Sequence, residues 1–164
     1  MKKIGLLSDT HSYLHPLVQK HFAQMDEIWH AGDLGDAATA DALEAMGKPF
    51  RAVWGNIDGP ELRQRYPETQ RFVLEGVDVM MTHIGGYPGK YAPGIRQQLL
   101  QQPPKLFICG HSHILKVMPD PQLGLLHMNP GACGIQGWHK VKTLLRFVLD
   151  NGNIKDLEVI ELPK

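Results

Sequence analysis

The chain has 164 residues, enough for one domain with a real core and with no need of a second, so residues 1–164 are read as a single domain. Lysine plus arginine and aspartate plus glutamate each number 17, so no net charge draws the protein to nucleic acid or to an anionic membrane, and binding must depend on a local site. Two cysteines make no disulfide framework, and the apolar run Ile4 to Leu7 is too short for a signal core or a membrane span, so a cytoplasmic protein in a reducing compartment is expected.

Lys3 to Ser8 reads as a short buried strand that gives way to Asp9, Thr10 and His11, a carboxylate and an imidazole at a strand end. Leu14 to Met25 carries apolar residues near a helical repeat, with Pro16 in its first turn and with His15 and His21 read as surface histidines. Glu27 to Ala31 is a second strand, closed by Gly32 and Asp33. Asp36 to Met46 predicts a helix, N-capped by Asp36 and stopped at Gly47. Pro49 to Trp54 supplies a third strand, followed by Gly55 and Asn56; asparagine after glycine is also a common turn residue.

Gln70 to Leu74 and Val77 to Thr82 predict an antiparallel pair turning at Glu75 and Gly76, and the second strand delivers His83. Ile84 to Pro93, rich in glycine, proline and tyrosine, reads as a loop suited to lining a site. Gly94 to Gln102 is expected to be helical, ahead of Pro103 and Pro104. Leu106 to Cys109 then runs into Gly110, His111, Ser112 and His113, and Cys109 reads as a small buried hydrophobe. Ile114 to Met118 with Leu123 to Met128, and Lys142 to Leu149 with Ile154 to Leu162, predict two hairpins, the second turning through Asp150 to Asn153. Strand-helix alternation followed by hairpins predicts an α/β protein in which a two-sheet sandwich is flanked by helices, with the strand ends meeting along one edge.

Those ends carry Asp9, His11, Asp33, Asn56, His83, His111 and His113. Two carboxylates, four imidazoles and an amide carbonyl suit a pair of divalent cations, which need a bridging carboxylate and roughly three further protein ligands each. The absence of thiolates favours manganese, iron, zinc or nickel over copper(I) or a structural zinc.

The ordered series Asp9-x-His11, Gly32-Asp33, Gly55-Asn56, His83 and Gly110-His111-Ser112-His113 resembles the calcineurin-like metallophosphoesterase superfamily, within it the small YfcE-type phosphodiesterases, and Asn129-Pro130-Gly131 is similar to a further motif of that subgroup. The resemblance implies an α/β/β/α sandwich of two mixed sheets. It implies that Asp9, His11 and His113 hold one ion and Asn56, His83 and His111 the other, with Asp33 bridging and manganese the first expectation. The implied reaction is hydrolysis of a small phosphate ester, above all a diester, by a hydroxide formed between the ions, with Asp33, Asn56 and His83 nearest the chemistry. No serine or cysteine nucleophile motif competes with it.

The pattern departs from the superfamily at position 57, where Ile57 stands in place of a histidine that assists the leaving group. Asp36 is the aspartate that would pair with that histidine. Weak activity on alkyl monoesters and better activity on aryl diesters follow. Gly85 replaces a second histidine after His83, and no serine follows Gly131. Tyr87, His127 and His139 are weaker candidates for substrate contact, with a structural or solvated role preferred for each. The alternative reading is a scaffold of the same fold that acts through protein–protein contact, as a retromer subunit does. A metallo-β-lactamase-type hydrolase is set aside because Ile114, Leu115 and Lys116 follow His113. The sequence leaves homo-oligomerisation open.

Overall fold

Two runs of parallel strands, each built from short segments with no more than one or two polar positions, set the architecture. The structure, a computed structural model, describes residues 1–163. In chain order the elements are β1 (Lys2–Leu7), α1 (Leu17–Phe22), β2 (Glu27–His30), α2 (Ala37–Glu44), β3 (Phe50–Ala52), α3 (Pro60–Arg65), β4 (Thr69–Leu74) and β5 (Val77–Thr82). They continue as β6 (Gly86–Tyr87), β7 (Lys90–Tyr91), α4 (Ile95–Gln101), β8 (Leu106–Ile108), β9 (Leu115–Asp120), β10 (Leu125–Pro130), β11 (Lys142–Asp150) and β12 (Asn153–Leu162).

The first sheet has the order β12-β11-β1-β2-β3 and the second β4-β5-β8-β10-β9, while β6 and β7 form a separate small hairpin. β1, β2 and β3 run parallel, as do β5, β8 and β10, while β11 and β12 of the first sheet and β4 and β9 of the second pair antiparallel with their neighbours. Alternation decides which side each residue faces. Ile4, Leu6, Trp29 and Phe147 from the first sheet meet Val79, Met81, Ile108 and Met128 from the second in a core between the sheets. Leu7, Ile28 and Leu144 face outward onto Val18, Phe22 and Leu43 of α1 and α2, and Met80 and Phe107 face outward onto Leu99 of α4. The result is the expected four-layer sandwich, helices outside two mixed sheets.

The expected strands and all three expected helices occur, with ends shifted by up to three residues. Asp36 does cap α2, accepting from Thr39 N at 2.9 Å. α3 is unexpected, as is the β6–β7 hairpin inside the glycine-rich loop. His15 is a correction: it precedes the short α1 and is buried, with Nε2 2.9 Å from Pro163 O and Nδ1 accepting from Leu17 N. Among the described residues no helix is long and apolar enough to cross a membrane.

Candidate metal centre

The parallel strands β1, β2 and β3 of one sheet and β5 and β8 of the other end at the same edge, and each hands its chain to a loop whose first residues are polar. Backbone bonds zip these loops together. Asp9 N donates to Gly32 O, His11 N to Asp33 O and Ser12 N to Leu34 O, at 3.0, 3.0 and 2.8 Å, and Gly110 N donates to His83 O at 3.0 Å. From the far side Gly134 N donates to Asp9 O at 3.1 Å.

The turns are sharp. Among the described residues nine that are not glycine have positive φ, and five of them are Asp9, His11, Asp33, His111 and His113. Left-handed backbone at side chains with a Cβ is costly and clusters where a constellation of groups demands it. Gly55 and Gly110, which precede Asn56 and His111, answer a separate need, close approach. A methyl at Gly55 would run into Asp33 Oδ1, and one at Gly110 into Ser8 Oγ with Asp9 Oδ2 only 2.8 Å away.

All seven strand-end residues converge. His113 Nε2 lies 3.2 Å from Asp9 Oδ1, His11 Nε2 lies 3.3 Å and His83 Nε2 3.1 Å from Asp33 Oδ2, and His111 Nδ1 lies 3.0 Å from Asn56 Oδ1. Asp9 Oδ1 is also 3.8 Å from His11 Nε2 and 3.7 Å from His83 Nε2. Donor atoms of Asp9, His11 and His113 form one group, each within 4.8 Å of the others, and those of Asp33, His83 and His111 form a second.

Each carboxylate has one oxygen tied down and one free. Asp9 Oδ2 accepts from Ser8 Oγ at 2.7 Å and His111 N at 3.1 Å, and Asp33 Oδ1 accepts from Ile57 N at 3.0 Å. His83 Nδ1–H donates to Ala31 O at 2.8 Å, which leaves Nε2 as the bare nitrogen of the neutral ring. Asp9 Oδ1, His11 Nε2 and His83 Nε2 are buried and have no hydrogen-bond partner. Three orphaned polar atoms from three loops, turned toward one another, are expensive unless something between them binds all three. Two carboxylates, four imidazoles, an amide oxygen and no thiolate are the donor set of a divalent cation of intermediate hardness, so the residues present fit such ions. Cys109 stays outside the set, its Sγ 3.3 Å from Gly86 O.

Burial pushes Asp9 up, but the imidazoles of His11, His113 and His83 outweigh it and hold the carboxyl well below its usual range. Asp33 behaves alike: burial raises it and His83 more than offsets that. His11 is raised above 6.5, chiefly by Asp9, and His83 is raised because Asp33 and Asp9 overcome its burial. His111 is lowered by burial and by the charge of His83. The pocket therefore attracts positive charge, and cations would displace protons there.

Of three supporting groups, Asp58 and His30 were not singled out in the sequence, and Asn129 was noted there only as part of a motif. Asp58, 2% exposed, accepts from the backbone N–H of Leu34, Gly35 and Gly55 at 3.2, 2.9 and 2.8 Å, fastening the Asp33 loop to the Asn56 loop. His30, fully buried, accepts from Gly32 N on Nδ1 and has Nε2 3.0 Å from Thr10 Oγ1; burial pushes it down to about 3, so the ring is neutral. Asn129 donates to Gly110 O and Ser112 Oγ, both at 3.1 Å, and accepts from Gly131 N, which gives the Asn129-Pro130-Gly131 motif a role in bracing the His111–His113 turn. Of the weaker candidates, His127 is buried beside Cys109 and Phe107 and away from the centre, Tyr87 sits under Lys116 Nζ at 4.4 Å, and His139 packs edge-on against His113 at 5.2 Å.

Comparison with known proteins gives a consistent result. The model of the calcineurin-like phosphoesterase superfamily domain matches residues 1–152. A probable metallophosphoesterase of Methanocaldococcus jannaschii is 31% identical over 137 residues, 79% of this chain and 67% of that protein. Among solved structures, a novel archaeal phosphodiesterase superposes with a TM-score of 0.76 at 21% identity, covering 98% of this chain and 99% of its own. Vps29 of Chaetomium thermophilum also superposes with a TM-score of 0.76, at 14% identity, covering 99% and 97%.

Proposed function

Since the chain belongs to the calcineurin-like phosphoesterase superfamily, we propose that it is a phosphodiesterase acting with two divalent cations, manganese first among them. Asp9, His11 and His113 would hold one, Asn56, His83 and His111 the other, and Asp33, whose Oδ2 lies near both His11 and His83, would serve both. When bound, such a pair supplies Lewis acidity, lowering the pKa of a water and neutralising charge on the phosphoryl oxygens. The chain's own residues do the rest. Asp9 and Asp33 stay ionised across the neutral range; Asp9 turns an unpartnered Oδ1 into the site, and Asp33 turns Oδ2 toward His83 and His11. His83 keeps its bare Nε2 inward because Ala31 O fixes the proton on Nδ1. Asn56, on an exposed loop, presents its amide at the open side.

The observation that carries the reading is the convergence of three buried, unpartnered atoms, Asp9 Oδ1, His11 Nε2 and His83 Nε2. Two buried free cysteines suit the cytoplasm. The test is metal analysis of the purified protein followed by a turnover assay with manganese on a panel of phosphate esters. Two ions per chain and hydrolysis of aryl diesters are expected. A second reading, a protein-binding surface of the same fold, is favoured by Ile84, Ile114 and Trp138, exposed by 45, 61 and 100% close in sequence to His83, His113 and His139. Bound metal with no hydrolysis of any ester would decide for that surface.

A further inference from the structure

The two groups of donor atoms differ in their surroundings. A cavity of about 580 Å³ adjoins one of them only: Asn56 and His83 line it, whereas Asp9, His11 and His113 do not. It is lined by Trp54, Arg63 and Glu68, in and around α3, and by Ala92, Pro93 and Gln98, in α4 and the segment leading into it. Its size falls in the range of pockets that hold small organic ligands and far exceeds what a phosphoryl group needs.

We infer that this cavity is the subsite for the organic group of the ester, and that it selects an uncharged ring of aryl or nucleoside size. The inference rests on the phosphoesterase reading and adds a substrate class to it. Arg63 shapes the wall. Its guanidinium stacks 4.1 Å from the Trp54 ring, while Nε donates to Asp58 O at 2.6 Å and Nη2 to Asn56 O at 3.3 Å. One cation is thus partly spent on backbone carbonyls, and the lining holds one carboxylate, Glu68, among groups that are, His83 apart, apolar or neutral. Such a lining gives little reward to a second phosphate or to an ammonium group. It does reward a flat ring, which gains contact with Trp54 and Pro93, and hydrogen-bonding edges, which can meet Thr69, Gln98 or Arg63. Because the cavity opens beside Asn56 and His83 alone, the ester's organic group lies over that half of the centre.

Binding of non-hydrolysable probes separates this subsite from catalysis. In the full chain with manganese, phenylphosphonate is expected to bind about tenfold or more tightly than methylphosphonate, as burial of an aryl ring should give. A thymidine phosphonate in a third arm tells a nucleoside site from an aryl site by which of the two rings binds better. Ala92→Phe, which fills the cavity from its far wall, should bring the phenyl preference to near parity; Gln98→Trp on exposed α4 repeats the test if that variant does not fold. Equal binding of phenyl- and methylphosphonate by the parent overturns the subsite, as does a loss of both in the same proportion in the variants. Preferential phenyl binding without turnover of any ester upholds the subsite and sinks only the hydrolytic reading.

Discussion

Two halves of one centre use the same kinds of side chain and differ in what covers them. The half with Asp9, His11 and His113 is roofed by the segment after Gly134, whose His139 ring stands 5.2 Å from His113 and whose Gly137 would meet the same imidazole if it carried a methyl. The half with Asp33, His83, His111 and Asn56 opens to the cavity lined by Trp54 and Arg63. Donor chemistry is shared, but access is not. The closed half is built to stay put, and the open half is where a ligand can arrive.

The sharpest way to break this comparison is at Asp33, whose Oδ2 reaches His11 of the closed half and His83 of the open one. Asp33→Asn keeps the shape but removes the charge, and kcat on bis(p-nitrophenyl) phosphate with manganese should fall at least about a hundredfold. Steady-state rates and metal content measured beside His113→Ala, which touches the closed half alone, give the contrast. If Asp33→Asn costs no more than His113→Ala, the halves do not share that carboxylate.

Next in size is the clamp beneath the open half. Asp58→Ala strips the acceptor from three amides, those of Leu34, Gly35 and Gly55, and unpaired buried donors cost about 1–3 kcal/mol each. A loss of roughly 3 kcal/mol in urea denaturation is expected, since loop movement will let water reach some of them. Asp58→Asn, which keeps an acceptor, should recover part of it. Equal stability of Asp58→Ala and the parent would mean that the Asn56 loop is held by something else.

That clamp marks the boundary of what the sequence makes legible. Strands ending in Asp9, Asp33, His83 and His111 are visible because each is an apolar run stopped by a ligand-type residue, and alternation then places the layers. Asp58 is hidden because Ile57-Asp58-Gly59-Pro60 reads as a turn, and its amide partners at Leu34 and Gly35 are 24 and 23 positions away. His15 misleads for the same reason, its partner Pro163 being 148 residues distant. α3 escapes notice because only Leu62 of its six residues is buried, so it shows no apolar stripe. Positive φ at Asp9 and Asp33 has no local signal either, since it follows from loops zipped across β1 and β2.

A proton probe placed outside both halves sharpens the electrostatic side of the contrast. His11 and His83 are raised by carboxylates, while His127, buried in the second sheet with no carboxylate beside it, is pushed down to about 4. A depressed imidazole binds its proton less well folded than unfolded, so its contribution to stability is whole above pH 6.5 and drains away as pH falls toward 4. His127→Phe removes that titration. Over this window the parent should lose stability relative to the variant by up to about 1.4 kcal/mol per pH unit, read from urea midpoints at several pH values. A gap that does not change with pH would mean that His127 binds its proton as readily folded as unfolded.

The smallest effect concerns the mouth of the open half. Ile57 is 45% exposed next to Asn56, and its N–H holds Asp33 Oδ1, so its side chain is free to change while its backbone keeps its task. On the phosphodiesterase reading, Ile57→His adds a proton donor beside Asn56 for an ester's leaving oxygen. A well-placed general acid is worth about 10²–10⁴. Here the gain should be nearer a few-fold to about tenfold, because Asp36, the aspartate that the resemblance pairs with such a histidine, already accepts from Thr39 N and Oγ1 as the cap of α2. An alkyl monoester, whose alkoxide leaves badly, should show the gain. An aryl diester, whose phenolate leaves without help, should not. The gain should also fade as pH rises past the imidazole's own pKa. Equal acceleration of both esters would show that residue 57 acts through packing of the Asn56 loop, and a parent that already turns over both at the same kcat would show that the open half finds its proton elsewhere.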